Sequence, residues 1–261
     1  MAGGISQTAF RIGDVVVKLA QDPAENEWSA AVFDAIEEDG FRVHRPIRAS
    51  DGSFLVDNWI AWHWIAGEHE RSDWRAAAQA ARCLHRAIPA AAARAGRDTR
   101  PAWLAGRTHR WARAEAVVWH GAALPAEADY SVPEVALWER ARDAGPVLTA
   151  EEERESQIVH GDVASNILRD PAFDTLAFID MSPGWRPASS VDAQVIVEGV
   201  AFYGGDEALL DDVASAPGGR AAVARACAFR VLCGLQAVAL GATFTPDEVA
   251  RFTRVLDAVD A

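Results

Sequence analysis

The first part of the chain alternates short apolar runs with turn residues, a pattern typical of β-strands. The runs TAFRI and DVVVKLA are separated by Gly13-Asp14, and RVHRPIRAS is separated from SFLVDNWIAWHWIAG by Asp51-Gly52. Such pairs favour the tight turns of antiparallel hairpins. Between the hairpins, AENEWSAAVFDAIEEDG carries apolar residues at helical spacing. We therefore predict a small antiparallel sheet with one helix over residues 1–67.

Beyond Gly67 the apolar residues recur three and four positions apart, which indicates helices. The longest such segment, GRAAVARACAFRVLCGLQAVAL, contains Arg225 and Arg230, so we predict a buried core helix and not a membrane span. The fold class is therefore α+β, with a small β lobe over residues 1–67 and a larger, mainly helical lobe over residues 68–261. The other predicted helices cover SDWRAAAQAARCLHRAI, RTHRWARAEAVVWHGA, VPEVALWERARDAG, DAQVIVEGVAF, DEALLDDVAS and TPDEVARFTRVLDAV.

The net charge and the cysteine content limit which partners and which cellular compartment we expect for this protein. The chain has 261 residues and a formal net charge of −13, which argues against nucleic-acid binding, because that rests on Lys and Arg neutralising phosphates. An acidic surface is compatible with a cationic ligand. The three cysteines are odd in number and lie in predicted helices, so we interpret them as core thiols of a reducing compartment. The N-terminus has no apolar signal region, and we expect a cytoplasmic protein.

Candidate chemistry concentrates in the stretch QIVHGDVASNILRDPAFDTLAFIDMSP. Two apolar runs each lead into an acidic residue, Asp162 and Asp180, and the amide of Asn166 lies between them. Two carboxylates and an amide can hold a hard divalent ion through oxygen ligands, with phosphate oxygens completing its coordination. One carboxylate can also accept a proton from an attacking hydroxyl. The alternative is that both aspartates are ordinary turn residues at strand ends.

A lysine and a glutamate in the first lobe extend this pattern. Lys18 follows three valines in DVVVKLA, where a buried cation is costly unless it points at an anion. Glu27 lies nine residues further on, near the start of the predicted helix. Glu27 either pairs with Lys18 or favours the positive end of the helix dipole.

A glycine turn precedes the first strand. Gly3 and Gly4 come shortly before Ser6, Gln7 and Thr8. Glycines at this place let backbone N–H groups approach phosphates, and a flexible tail is the alternative interpretation.

Taken in order, these segments resemble the aminoglycoside phosphotransferase and choline-kinase-like family of the protein-kinase-like superfamily. GGISQTAFRIGDVVVKLA resembles its nucleotide loop and lysine strand, IVHGDVASNIL its catalytic loop, and AFIDMSP its metal-binding segment. CLHRAI resembles the Leu-His of the first helix in the large lobe. Asp192 matches the later aspartate that braces the catalytic loop. The resemblance spans residues 1 to about 205 and implies a two-lobed protein-kinase-like fold.

The resemblance also implies a nucleotide site. Lys18 would contact the α- and β-phosphates of ATP or GTP, and Glu27 would orient Lys18. The backbone near Trp62, His63 and Trp64 would meet the base at the hinge between the lobes. The phosphate loop would consist of Gly4, Ser6, Gln7 and Thr8.

For the reaction itself, the resemblance implies that Asp162 orients or deprotonates the substrate hydroxyl. Asn166 and Asp180 would hold Mg²⁺, which fits a reaction that needs positioning and neutralisation of charge. The catalytic loop departs from the pattern, because three residues separate Asp162 from Asn166 where the usual loop has four. Asn166 therefore either reaches the metal along a changed path or does not reach it.

We predict a small-molecule kinase that uses ATP or GTP to phosphorylate a hydroxyl of an aminoglycoside-like antibiotic or a hydroxylated metabolite. The acidic charge favours a cationic acceptor, bound in the helical lobe, and we expect a monomer or homodimer without nucleic-acid or membrane partners. A kinase-fold binding or regulatory protein without transfer activity remains the main alternative, and a hydrolase is a minor one. We also predict that His85 and His160 make buried structural hydrogen bonds.

Overall fold

The computed structural model describes residues 2–3, 9–97, 99–170, 172–173 and 175–261. The predicted phosphate loop of Gly4, Ser6, Gln7 and Thr8 lies outside these residues. The chain divides into two compact units. The β-rich unit consists of Met1–Glu70, Ala80–Gly106 and Ile158–Trp185, and the helical unit of Arg71–Gln79, Arg107–Gln157 and Arg186–Ala261. The boundary at residue 67 stays a prediction; the structure groups the 158–185 segment with the N-terminal strands.

The larger sheet of the β-rich unit confirms the antiparallel arrangement. Its strands are β1 Ala2–Gly3, β2 Ala9–Ile12, β3 Val15–Leu19, β5 Pro46–Ile47, β6 Leu55–Val56 and β7 Trp59–His63. The strand order is β1-β2-β3-β7-β5, with β6 paired to β7. Gly13 has φ +60° in the turn between β2 and β3, as the sequence predicts. The predicted strand SFLVDNWIAWHWIAG is in fact two strands, because Asp57 and Asn58 adopt positive φ and turn the chain back on itself.

Helix α1, Pro23–Ala35, packs its apolar face in this unit and buries Trp28, Val32 and Phe33. Asp22 caps the helix by accepting a hydrogen bond from the backbone N–H of Glu25 at 3.1 Å. The helix ends before EEDG, which the sequence pattern includes in it, because the chain becomes extended at Ile36.

A second sheet connects the 158–185 segment to the N-terminal part of the chain. Its strands are β4 Arg42–Val43, β8 Glu68–His69, β10 Ile167–Arg169 and β11 Leu176–Phe178. The strand order is β4-β11-β10-β8, and only the β4–β11 pairing is parallel. Gly67 precedes β8 with φ +134°, and a Cβ there would lie 2.7 Å from the carbonyl oxygen of Arg169. This close approach requires glycine.

The helical unit is organised around one central helix. Its helices are α3 Arg110–His120, α4 Val135–Ala144, α5 Ala150–Arg154, α6 Ser190–Tyr203, α7 Ala208–Ala214, α8 Gly219–Val238 and α9 Pro246–Asp260. The central helix, α8, contacts α3, α4, α6, α7 and α9. It is apolar and long enough to span a membrane, but 67% of its most apolar window is buried inside the protein, as expected of a core helix. Cys227 and Cys233 lie buried in it, as predicted.

Three elements run across the boundary between the units. Helix α2, Trp74–Arg94, is longer than the sequence pattern predicts. Its N-terminus is capped by Asp73 and not by Ser72, because the Asp73 side chain accepts the N–H of Ala76 at 2.9 Å. The strands β9, Ser156–His160, and β12, Pro183–Pro187, pair with each other in a two-stranded sheet.

The helical unit buries a cluster of charged side chains, which we call the buried charge cluster: Arg186, Arg230, Glu115, Glu198 and the amide of Gln194. Arg230 pairs with Glu198 at 2.6 Å, and Gln194 donates to Glu198 at 2.8 Å. The guanidinium of Arg186 lies 3.6 Å from Glu115 and also bonds to Gln194. Burial lowers the pKa of Arg186, while Glu115 and Glu198 act against this shift. The charged side chains of this cluster therefore pair with one another inside the helical unit.

Candidate active site

The loop after β9 brings the predicted base and the predicted metal-binding amide together. A single 3₁₀ turn, Ala164–Asn166, takes up the shortened spacing. The side-chain Nδ2 of Asn166 donates to the backbone carbonyl of Asp162 at 2.7 Å and to its carboxylate at 3.2 Å. The deletion of one residue from the usual loop therefore still leaves Asn166 in contact with Asp162.

The orientation of the Asn166 amide follows from these contacts. The nitrogen faces the carbonyl and the carboxylate oxygen of Asp162, both acceptors, and lies 3.5 Å from the Ser165 hydroxyl, so the NH₂ group is assigned toward them. The amide oxygen then points away from Asp162. An oxygen in this orientation is the ligand type that a hard cation requires.

The second predicted metal ligand, Asp180, lies just beyond β11 and forms an ion pair with Lys18 of β3. Lys18 Nζ lies 2.5 Å from Asp180 Oδ1, and the side chains are 27% and 55% exposed. Partial desolvation by the surrounding protein opposes ionisation of the half-exposed Asp180 carboxyl, but the charge and the hydrogen bond of Lys18 outweigh it, and the net pKa is lowered. Asp180 has φ +50°, which is uncommon for a residue other than glycine.

Two buried histidines, His85 and His160, make structural hydrogen bonds to the loop that contains Asp162, as the sequence predicts. His85 Nδ1 faces the carbonyl of Ala81 at 2.6 Å, so its Nε2 accepts the N–H of His160 at 2.9 Å. The Nδ1 of His160 in turn accepts the N–H of Asp162 at 3.3 Å, and its Nε2 donates to the carbonyl of Ile179 at 3.1 Å. The imidazole of His160 thus connects the backbone of Asp162, the predicted base, to the backbone just before Asp180, the predicted metal ligand.

A third histidine, His44, is a site residue that the sequence reasoning missed. It follows β4, its ring stacks on Trp62 at 4.0 Å between centroids, and its Nε2 accepts the backbone N–H of Asp180 at 3.1 Å. Burial lowers the pKa of His44 to about 3 against an opposing effect of Asp180, so the ring is neutral at neutral pH. No local motif marks this residue, because its contact with Asp180 spans more than half the chain.

The structure separates Glu27 from the pair that the sequence suggests. In the described part of the chain, the ion pair of Lys18 is with Asp180 and not with Glu27. Glu27 is exposed and lines a surface pocket of about 420 Å³ together with Asp34 and Arg48. The predicted orienting role of Glu27 therefore has no support from this geometry.

Helix geometry indicates Glu25 instead as the acidic residue on the inner face of α1. Glu25 precedes the buried residues Trp28 and Ser29 by three and four positions, which places all of them on one face. Glu27 falls on the opposite face. The spacing to Trp28 is visible in the sequence and could have distinguished the two glutamates.

The residues that the sequence predicts to contact the nucleotide base lie at the end of β7. Trp62 is buried, whereas His63 and Trp64 are exposed. The N–H of His63 donates to the carbonyl of Arg45 at 2.8 Å, and that of Trp64 donates to the carbonyl of Asp14, also at 2.8 Å. Because the sheet already uses these two N–H groups, a nucleotide base would have to contact carbonyl groups or the residues after Trp64.

Comparison with known proteins decides the family. The profile of the phosphotransferase enzyme family matches residues 1–181, which include Lys18, Asp162, Asn166 and Asp180. The chain belongs to the phosphotransferase enzyme family. No curated protein sequence gives a significant match to it.

Solved structures of aminoglycoside phosphotransferases are similar to this chain in fold. An aminoglycoside phosphotransferase from Alicyclobacillus acidocaldarius is 16% identical with a TM-score of 0.50, over 97% of this chain and 88% of that one. A thermostable mutant of aminoglycoside phosphotransferase APH(4)-Ia is 15% identical with a TM-score of 0.52, over 97% and 89%. A choline/ethanolamine kinase family protein from Mesorhizobium loti is 18% identical with a TM-score of 0.39, over 96% and 88%. The first two confirm the predicted kinase-like α+β fold.

The site of this phosphotransferase fits a metal ion that shares its ligands with a phosphate. Among the described residues there is no group of three or more His, Cys, Asp or Glu side chains that could hold a metal by themselves. The Asp180 carboxylate and the amide oxygen of Asn166 are oxygen ligands of the kind that would hold part of a Mg²⁺ coordination shell, with phosphate oxygens completing it. The ammonium of Lys18 shows that the Asp180 carboxylate accepts a cation.

Proposed function

We propose that this phosphotransferase transfers the γ-phosphate of ATP or GTP to a hydroxyl group of a small molecule. Two contacts within the β-rich unit support this most: the ion pair between Lys18 and Asp180, and the hydrogen bond between Asn166 and Asp162. They contain the cation, the carboxylate base and the oxygen ligands that phosphoryl transfer requires.

In this proposal Asp162 accepts the proton of the acceptor hydroxyl while the hydroxyl oxygen attacks the γ-phosphorus. The bond between that phosphorus and the bridging oxygen breaks, and the nucleoside diphosphate leaves. Asp180 and Asn166 would hold Mg²⁺, which neutralises phosphate charge when bound. Lys18 would leave Asp180 for the phosphates, since its flexible stem allows both contacts.

The acceptor we propose is a cationic hydroxylated molecule, such as an aminoglycoside-like antibiotic or a hydroxylated metabolite. The net charge of −13 favours a cation by long-range attraction. With an antibiotic as acceptor, the reaction would confer resistance. We further propose that the protein acts in the cytoplasm as a monomer or homodimer, without nucleic-acid or membrane partners.

An inactive nucleotide-binding protein is the second candidate, because the loop between Asp162 and Asn166 is one residue short. A thermal-shift screen with ATP, GTP and Mg²⁺, separately and together, distinguishes the two, since ligands that bind the folded state raise its apparent stability. Stabilisation that requires nucleotide and Mg²⁺ together supports the kinase. Stabilisation by nucleotide regardless of Mg²⁺ supports the alternative.

The decisive experiment measures nucleoside diphosphate release with a panel of aminoglycosides and other alcohols. We expect turnover with at least one cationic acceptor, and a decrease of about 10²–10⁴-fold in Asp162→Asn, which keeps the shape but loses the base. Asp212→Asn, in an exposed pair with Arg75, is the matched control and should keep full activity. Turnover that is equal in Asp162→Asn and the wild type would disprove the mechanism.

A further inference from the structure

One peptide group in the candidate site is held on both of its edges. The carbonyl of Ile179 and the N–H of Asp180 belong to the same planar unit. His160 Nε2 donates to that carbonyl at 3.1 Å, and His44 Nε2 accepts that N–H at 3.1 Å. The two imidazoles therefore fix the plane of the peptide that precedes the predicted metal ligand.

The plane matters because of the backbone conformation at Asp180. Its φ of +50° lies in the left-handed region, which residues other than glycine enter at a cost. Aspartate tolerates this region better than most residues, but it persists where the surroundings hold it. Rotation of the preceding peptide would change φ and move the carboxylate away from Lys18.

His44 is itself held rigidly enough to impose this orientation. Its ring is stacked on Trp62 with an angle of 7° between the planes, and it packs in a T-shaped contact with the ring of Phe33, 5.5 Å between centroids. Its backbone N–H donates to the carbonyl of Phe178 at 3.0 Å, two residues before Asp180. The side chain is buried, so the acceptor nitrogen cannot turn toward water.

We propose that His44 is a positioning residue for phosphoryl transfer, which holds Asp180 in its left-handed conformation by accepting the N–H of that residue. The inference rests on the proposed function for its metal part, because it assigns Asp180 the role of metal ligand. It adds to that function a residue outside the catalytic motifs. His44 itself contacts neither nucleotide nor metal in this proposal.

Two substitutions separate hydrogen bonding from packing. His44→Phe keeps an aromatic ring against Trp62 but has no acceptor. His44→Gln loses the aromatic ring but can place an amide oxygen near the position of Nε2. His69→Phe, at an exposed position in β8, is the control for replacing a histidine as such.

The first measurement is amide hydrogen exchange at Asp180, followed by NMR in the ligand-free protein. We expect exchange about tenfold faster in His44→Phe, as for the loss of one hydrogen bond, and near wild type in His44→Gln and His69→Phe. Unchanged exchange in His44→Phe would overturn the proposal. So would equal acceleration in His44→Phe and His44→Gln, because packing alone would then explain it.

The second measurement is nucleotide affinity with and without Mg²⁺. In His44→Phe we expect the affinity gained from Mg²⁺ to fall about tenfold while affinity without Mg²⁺ is kept, and His44→Gln should restore most of the gain. An equal loss with and without Mg²⁺ would overturn the positioning role. If the wild type shows no Mg²⁺-dependent binding, the proposed function and the metal part of the inference fail, whereas amide exchange still decides whether His44 holds the peptide.

Discussion

Two carboxylates, Asp180 in the β-rich unit and Glu198 in the helical unit, differ in how the protein uses their charge. In the β-rich unit, the Asp180 side chain is 55% exposed and its ion-pair partner is Lys18. In the buried charge cluster of the helical unit, Glu198 is 1% exposed and receives bonds from both Arg230 and Gln194. The first carboxylate can exchange its partner for a ligand, whereas the second is fully used by the protein.

This difference shows which charges are available for chemistry. A buried charge needs a complete set of partners, because removal from water is costly. An accessible pair contributes little to stability and can open at low cost. The peptide before Asp180 is held by His44 and His160, so the carboxylate can change partners while its position is kept.

The largest effect should come from Asp180→Asn, which removes the charge but keeps the shape. We expect turnover to fall roughly a thousandfold, because metal-ion charge stabilisation supplies several kcal/mol. The free energy of unfolding should change by less than about 1 kcal/mol, since the lost ion pair is accessible. Steady-state kinetics and urea unfolding of the same preparation test both statements. A large stability loss would show that Asp180 resembles the buried carboxylates.

The reverse pattern is expected for Glu198→Gln. Arg230 would keep a buried charge without its counterion, and we expect a loss of about 3 kcal/mol in the free energy of unfolding. Turnover per folded molecule, measured where the variant is fully folded, should stay within about twofold because the cluster is not part of the proposed mechanism. A stability loss below about 1 kcal/mol would contradict the distinction between the two kinds of charge.

Contacts in the site between residues close together in sequence were easier to predict than contacts between residues far apart in sequence. Asp162, Asn166 and Asp180 lie within one strand-loop-strand segment. In the structure Asn166 hydrogen-bonds to Asp162, and Asp180 forms an ion pair with Lys18. Local apolar runs and turn residues predict such a segment well. The α+β fold was predictable for the same reason.

Long-range packing was not predictable from these patterns. His44 contacts Asp180 across 136 positions in sequence, and nothing near His44 indicates it. The positive φ of Asp180 is imposed by tertiary contacts and has no sequence signal. For the glutamate expected to pair with Lys18, helical periodicity was a usable signal, because the positions of Trp28 and Ser29 place Glu25, and not Glu27, on the inner face of α1.

Gly67→Ala should have an intermediate effect, restricted to the β-rich unit. The new Cβ would lie 2.7 Å from the carbonyl oxygen of Arg169, so the backbone must shift, at a cost of about 2–3 kcal/mol in unfolding free energy. Gly52→Ala is the matched control, because Gly52 also has positive φ but a Cβ added there would have no atom within 4 Å. It should lose about 1 kcal/mol. Equal losses in urea unfolding would mean that φ alone, and not the close approach, requires glycine at residue 67.

The smallest effect is expected for Glu207→Gln, which removes an exposed ion pair in the helical unit. Arg254 and Glu207 have side chains that are 44% and 52% exposed, so water and salt can replace the contact. The free energy of unfolding should therefore change by less than about 0.5–1 kcal/mol, and the change should shrink further in high salt. Urea unfolding at low and high ionic strength measures this directly beside Glu198→Gln. If the two glutamate variants lost similar stability, accessibility would not be what separates exchangeable charges from structural ones in the helical unit.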